Sequence, residues 1–398
     1  MEKIRKIQAS EILDSRGNST LKVKIYTDNF ESSASVPHGK SIGRYEALSL
    51  PTWQALKNIK EKITPILIEK EVDFKLIDQE LISLDGKKDK SNLGANTTLG
   101  ISLASARLQA KIERRPLFKF LSSFFPLRKT PREDITLLMN IVNGGMHAFG
   151  GPDIQEYLIL VKGINLKESV FLGSRIYHEM GKSFKRNIGD EGGFVPEERD
   201  VTRPIDIISR VIGEKGVRKE VKIGLDVAAS QLFDGEKYHL GDYKFTKDEL
   251  VDFYLKLSKK YELLYLEDPF SEDDLESFAK LKKESQNFLV VGDDLTVTNL
   301  EKTKEVKEND LISGIIIKPN QIGTLSETID VINFAQEEGL KVIISHRSGE
   351  TNDSFIADLA VACGAWGLKT GAPARGERVA KYNRLLEIED QANLPKSG

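Results

Sequence analysis

Two hydrophobic patterns divide the chain. Residues 20–27 (TLKVKIYT) alternate with period two, placing Leu21, Val23 and Ile25 on one face and Lys22 and Lys24 on the other. That is the pattern of a half-exposed antiparallel strand. Residues 31–36 are expected to return as its partner after the turn at Asp28-Asn29. Residues 52–69 place Trp53, Leu56, Ile59, Ile63, Ile66 and Leu67 at helical spacing. Residues 96–112 are rich in small residues, as in a closely packed helix. Beyond the segment holding Pro126 and Pro131, the pattern changes. Short continuous apolar runs recur roughly every 25 residues, the span of one strand, one helix and two loops. Each run ends in an ionisable residue: LLYLEDP at Glu267, FLVVGDD at Asp293, GIIIKPN at Lys318, KVIISHRS at His346 and WGLKTG at Lys369. Continuous apolar runs read as strands buried on both faces of a parallel sheet. Charged groups at their C-terminal tips are where a β/α barrel places its chemistry.

The expected architecture is therefore α/β: an N-terminal α+β capping domain over residues 1–131 and a TIM-like β/α barrel over residues 132–398. The helices between the runs carry their own signals. SETIDVINFAQEEG has Ser326 placed to cap and Gly339 placed to stop it, and TNDSFIADLAVACG ends at Gly364.

Length and charge narrow the function. The chain has 398 residues, enough for a barrel and an appended domain, with 39% hydrophobic and 30% charged residues. A net charge of −3 argues against bulk electrostatic binding of nucleic acid or anionic membrane. The N-terminus lacks the apolar core of a secretory signal, and no apolar run is long enough to span a bilayer. A cytoplasmic enzyme is expected. The one cysteine, Cys363, lies in an apolar helical pattern and reads as a buried thiol.

Three carboxylates stand at successive tips: Asp226 in KIGLDVAAS, Glu267 and Asp293. Any one alone would read as a helix cap. Together, with no His or Cys among them, they suit a hard cation such as Mg²⁺. Asp294 is an alternative ligand beside them. Lys318 and Lys369 end buried runs, and a lysine near such a cluster is a candidate base. SHRSG (345–349) collects Ser345, His346, Arg347 and Ser348, a set suited to phosphate. GDEGGF (189–194) sets Asp190 and Glu191 between glycines. NGGMHA and IQEY contribute His147, Gln155 and Glu156, although a loop histidine by itself reads as structural.

Taken in order, DSRGN (14–18), NIVNGG (140–145), DIQE (153–156), GDEGGF, LDVAAS, LEDPF, GDDLTVTN, IKPNQIGTL, SHRSGET, IADLAV and KTGAPARGER resemble the motifs of enolase (phosphopyruvate hydratase). The resemblance runs from residue 3 to about residue 390. It implies a lyase that reversibly dehydrates 2-phosphoglycerate to phosphoenolpyruvate in glycolysis and gluconeogenesis. It implies two Mg²⁺ ions, one retained without substrate and one arriving with it. Asp226, Glu267 and Asp293 resemble the ligands of the first, and Ser41 the group that meets the second beside the phosphate. Lys318 resembles the base that removes the carbon-2 proton. Glu191 resembles the acid that assists hydroxide departure, with Glu156 beside it. His147, Gln155, Ser345, His346, Arg347, Ser348 and Lys369 match substrate-contact positions.

Several segments depart from the family pattern. The loop that usually reads like PSGAST is PHGKSI here, with His38, Lys40 and Ile42 unusual. An HADN-like segment is replaced by HAFGGP, bringing in Phe149, Gly150 and Gly151. A stretch after Ala47 is missing, the segment before GDEGGF is shortened, and the chain ends soon after LLEIED (385–390). The resemblance implies a homodimer or higher homo-oligomer, but Lys22 and Lys24 stand where the family carries glutamate at its interface strand. Two other readings remain open: a divergent superfamily enzyme acting on another carboxylate, and a non-catalytic binding protein. SHRSG and Ser41, which suit a phosphate, speak against the divergent enzyme, and retention of both Lys318 and Glu191 speaks against the binding protein.

Overall fold

The computed structural model describes residues 2–40, 43–127, 135–184 and 187–393. The N-terminal domain holds a three-stranded antiparallel sheet of β1 (Lys6–Leu13), β2 (Ser19–Tyr26) and β3 (Glu31–Ser35). Leu21, Val23 and Ile25 are fully buried, as the alternation requires, and pack towards the helix Ala95–Ile112. The small side chains of that helix permit close approach. A Cβ on Gly100 would lie 2.7 Å from Val23.

The helix expected over 52–69 spans Thr52–Asn58, continues through one wider turn, Ile59–Ile63, and closes with Thr64–Leu67. The wider turn ends two residues before Pro65, which has no N–H to donate. Ala55, Ile59, Ile63 and Leu67 form the buried stripe, whereas Trp53 is 68% exposed and lies off it. The boundary expected at Pro131 falls within residues 128–134, outside the described residues.

The second domain is a closed barrel. Its strands are β4 (Thr136–Asn143), β5 (Glu156–Val161), β6 (Val221–Asp226), β9 (Leu263–Glu267), β10 (Leu289–Gly292), β11 (Gly314–Ile317), β12 (Lys341–Ser345) and β13 (Gly367–Lys369). A hairpin of β7 (Tyr238–Leu240) and β8 (Tyr243–Phe245) stands apart from it. Around the barrel the order is β10-β11-β12-β13-β4-β5-β6-β9. The barrel is not wholly parallel: β5 runs antiparallel to both β4 and β6. Its first residue, Glu156, therefore lies beside the last residues of its neighbours, Asn143 and Asp226. The reversal brings the start of β5 to the rim where the other strands end. Inside the barrel, Leu138, Leu158, Leu160, Tyr265, Val291, Ile316 and Ile343 fill the lower core.

The domains share helix caps. The helix Leu325–Glu337 is capped by Thr324, whose hydroxyl accepts from Glu327 N, and not by Ser326. Ser326 lies one residue inside the helix, and its backbone N–H donates to Asp78 Oδ2 of the other domain at 2.9 Å. Leu325 N donates to Ser102 Oγ at 2.9 Å, and Thr98 Oγ1 donates to the Gly323 carbonyl at 2.7 Å. Two of the helix's free N–H groups are thus satisfied across the domain boundary. Gly339, with φ 77°, terminates the same helix.

Asp78 is fully buried, and its Oδ1 has no hydrogen-bond partner. Burial raises its pKa from 3.8 to about 6, against the Ser102 and Ser326 hydrogen bonds. For an acid raised in this way, folding retains a proton that unfolding releases. Its contribution to stability is largest below about pH 4 and is lost as pH climbs through 6. Asp78→Asn keeps an acceptor oxygen and removes the titration. Urea unfolding should therefore move in favour of the variant, relative to the native chain, by ~2 kcal/mol between pH 4.5 and 7.5. A difference that does not change with pH would disprove the linkage.

Candidate active site

The chemistry-bearing residues sit where the strands end. Asp226, Glu267, Ser345 and Lys369 are the last residues of β6, β9, β12 and β13. Asp293, Lys318 and His346 directly follow β10, β11 and β12. Most of these tips line one pocket, together with His147, Gln155, Glu156 and Glu191 and with Arg347 and Ser348.

One side of the pocket is a charge lattice. Lys369 Nζ lies 2.8 Å from Asp226 Oδ2, 2.8 Å from Glu267 Oε2 and 3.2 Å from Glu156 Oε1. Lys318 Nζ pairs with Asp293 Oδ2. Burial would strip both lysines of charge, but the carboxylates around them outweigh it. Asp226, Glu156 and Glu267 carry Lys369 well above the ordinary lysine value, and Asp293 raises Lys318. Burial and the neighbouring Asp226 raise Glu267 to about 8, while burial and Asp293 raise Asp294 to about 7. Gln155 Nε2 lies 3.4 Å from Asp226 Oδ2.

The donor set suits a hard divalent cation. Asp226, Glu267 and Asp293 come from adjacent strands and offer only oxygen. Glu267 Oε1 is buried without a partner, and the raised carboxylates mark more negative charge than the two lysines neutralise. A second acidic group, Asp268, Asp293 and Asp294, also lies close enough to share an ion. Both Asp268 oxygens, however, accept backbone N–H bonds at 2.9 Å, from Asp293 and Asp294. Asp268 thereby shapes the turn that presents Asp293. Ser41 lies outside the described residues.

The other side holds the acid pair. Glu191 Oε2 accepts from Asn140 Nδ2 at 3.0 Å, and its Oε1 lies 3.3 Å from His346 Nε2 and 3.5 Å from His147 Nδ1. His147 Nδ1 also lies 3.5 Å from Glu156 Oε1. Burial and the charge of Glu191 raise Glu156 well above the carboxylate range. Burial would raise Glu191 too, but His346, His147 and Arg378 hold it well below. Of these two buried carboxylates, Glu156 is thus pushed towards its protonated form and Glu191 towards its ionised form. Burial lowers both imidazoles, His346 to about 3.

The N-terminal domain roofs the pocket. His38 and Gly349 exchange backbone hydrogen bonds of 2.7 and 2.9 Å. A Cβ on Gly39 would lie 1.8 Å from the Arg347 guanidinium, so only glycine fits there without displacing it. Arg347 Nη1 donates to Glu46 Oε2 and Asn320 Oδ1, both at 3.0 Å, and Nη2 donates to Glu46 Oε1 at 3.2 Å. Lys40 N donates to Ser348 Oγ at 2.9 Å, and its Nζ reaches the Met146 carbonyl and, at 3.1 Å, Asp190 Oδ2. The unusual lysine thus ties the roof to the loops before His147 and Glu191. Phe149 is fully exposed, while Ile42 lies outside the described residues. Glu46, Asn140 and Arg378 received no role in the sequence reading. A polar residue inside the apolar run of β4 was the available signal for Asn140, but Glu46 and Arg378 lie far from their partners in sequence.

Comparison with known proteins agrees with this geometry. Residues 4–121 match the family model "Enolase, N-terminal domain", and residues 136–395 match "Enolase, C-terminal TIM barrel domain". The chain is 41% identical over 413 residues to the enolase of Ehrlichia ruminantium (strain Gardel), covering 98% of this chain and 97% of the relative. It is 42% identical over 411 residues to the enolase of Methanosarcina barkeri, covering 98% and 94%. It is 39% identical over 416 residues to the enolase of Sulfurisphaera tokodaii, covering 100% and 98%. Each of these alignments is longer than the 398 residues of the chain, so it contains positions that this chain lacks. With both family models matched in order and similarity extending over nearly the whole length, the chain belongs to the enolase family.

Proposed function

We propose that the chain reversibly dehydrates 2-phosphoglycerate to phosphoenolpyruvate. The observation that carries this reading is one pocket with a buried lysine beside a carboxylate on one side and two buried carboxylates, Glu156 and Glu191, around His147 on the other. Elimination across two adjacent carbons needs both groups. Lys318 Nζ takes the carbon-2 proton, and the oxygen on carbon 3 leaves as water with the proton held by Glu156 and Glu191. Removing a proton beside a carboxylate places a second negative charge on that group, and Lys369 is suited to stabilise it. Arg347 and Ser348 offer donors to the phosphate, and His147, Gln155, Ser345 and His346 complete the substrate contacts.

Asp226, Glu267 and Asp293 would hold one Mg²⁺, and Ser41 would meet a second that arrives with substrate. When bound, Mg²⁺ supplies Lewis-acid stabilisation of that charge and neutralises the carboxylates that otherwise keep Lys318 protonated. To act as a base Lys318 must give up its own proton, and the charges of Arg347 and Lys369 oppose the pull of Asp293 that retains it. Assembly into a homodimer or higher homo-oligomer and a cytoplasmic location belong to the same proposal. Among the described residues, no helix is long and apolar enough to cross a membrane.

Purified protein should form phosphoenolpyruvate from 2-phosphoglycerate with Mg²⁺, detected by its ultraviolet absorbance, and EDTA should abolish the reaction. Folded protein that gives no product with ample Mg²⁺ would sink the proposal. Lys318→Ala should abolish exchange of the carbon-2 proton with solvent deuterium, followed by NMR. Near-native exchange in that variant would remove Lys318 as the base. Glu191→Gln should lower kcat by about 100-fold or more while still permitting that exchange. Loss of the exchange as well would place Glu191 before the proton-removal step.

A further inference from the structure

Arg378 is fully buried on the helix Gly376–Asn393 and has no place in the steps above. Its Nη1 donates to the Arg347 carbonyl at 2.6 Å, and Nη2 donates to the carbonyls of Ser348 at 2.6 Å and Asp190 at 3.1 Å. Nη1 also stands 2.6 Å from His346 Nδ1. A guanidinium offers only donors and does not give up its proton in a protein. At this distance Nδ1 must accept, because a proton there would set N–H against N–H. The neutral imidazole then carries its single proton on Nε2. That nitrogen is buried, lies 3.3 Å from Glu191 Oε1 and makes no well-formed hydrogen bond within the protein.

We infer that Arg378 is a positioning residue that holds His346 as the neutral Nε2–H tautomer, so that this proton faces Glu191 and the substrate pocket. His346 is then a donor only. It can steady ionised Glu191 or bond an acceptor oxygen of the substrate, and it cannot act as a base. The charged groups around it agree. Burial lowers the imidazole against the upward pull of Glu191, and Arg378 and Lys369 lower it further. The three carbonyls that accept from Arg378 belong to Asp190, Arg347 and Ser348. One guanidinium therefore sets the tautomer of His346 and anchors the backbone beside Glu191 and the phosphate donors. The catalytic consequence rests on the proposed dehydration, but the tautomer does not.

The test uses native protein labelled with ¹⁵N at its five histidines, with the His346 signals assigned by their loss in His346→Gln. Nδ1 should give a pyridine-like signal and Nε2 a pyrrole-like one, unchanged from pH 6 to 9 and without any substrate. A proton on Nδ1, or a rapidly exchanging mixture of tautomers, would overturn the inference whether or not the protein turns over 2-phosphoglycerate. Arg378→Met removes the donor at similar length. It should mix the tautomers and lower kcat roughly 10–100-fold, the loss typical of removing a partner that orients a functional imidazole. Arg378→Lys, again a donor-only cation, should recover part of both. A folded Arg378→Met that keeps the native His346 signals would reduce Arg378 to a structural anchor and overturn the proposal. If that variant does not fold, the native spectrum decides alone.

Discussion

The site depends on neutralising buried carboxylates. Strands in a sheet stand about 5 Å apart, so acidic residues at neighbouring tips cannot avoid one another. Isolated charges in such a place are prohibitively costly, and the fold answers with Lys369. In the barrel order, β13 lies across the ring from β6 and β9, yet the Lys369 ammonium bonds Asp226 and Glu267 at their tips. It also meets Glu156 at the start of β5. One cation therefore spans the barrel mouth and joins three of its strands by charge. Lys318 and Asp293 repeat the arrangement locally.

The same constraint divides the pocket. Where ammonium groups sit among carboxylates, the unneutralised charge favours a further cation. Where imidazoles, Asn140 and Arg378 surround carboxylates, Glu191 is held towards its ionised form and Glu156 towards its protonated one. An ammonium group and carboxyl groups in different protonation states can then coexist in one cavity because different neighbours set their protonation. This separation follows from which strand tips adjoin which loops.

Much of this was legible in the sequence. Runs such as GIIIKPN and KVIISHRS marked both the strands and the ionisable residues that follow them, because burial on two faces leaves these runs apolar until the rim. The reversal of β5 was not legible. EYLILV is as apolar as the parallel strands of the barrel, and direction is set by pairing, which no local pattern records. Ser326 misled because both Thr324 and Ser326 are acceptable caps, and the choice rests on Asp78 and Ser102 in the other domain. Arg378 was silent because its three carbonyl acceptors and His346 lie thirty or more residues away. The 37–42 segment was recognised as unusual, but the reach of Lys40 to Met146 and Asp190 depends on the packing of two domains.

The shared caps and roof have a consequence for modularity. The barrel closes on itself as a sheet, so its backbone pairing needs nothing from residues before 136. Its helix Leu325–Glu337 nevertheless begins on side chains from the other domain, and Arg347 is held by Glu46. Cutting the chain between the domains would therefore separate a scaffold from its working form. The stretch of chain that supplies the barrel's sheet pairing is thus shorter than the stretch that supplies the site.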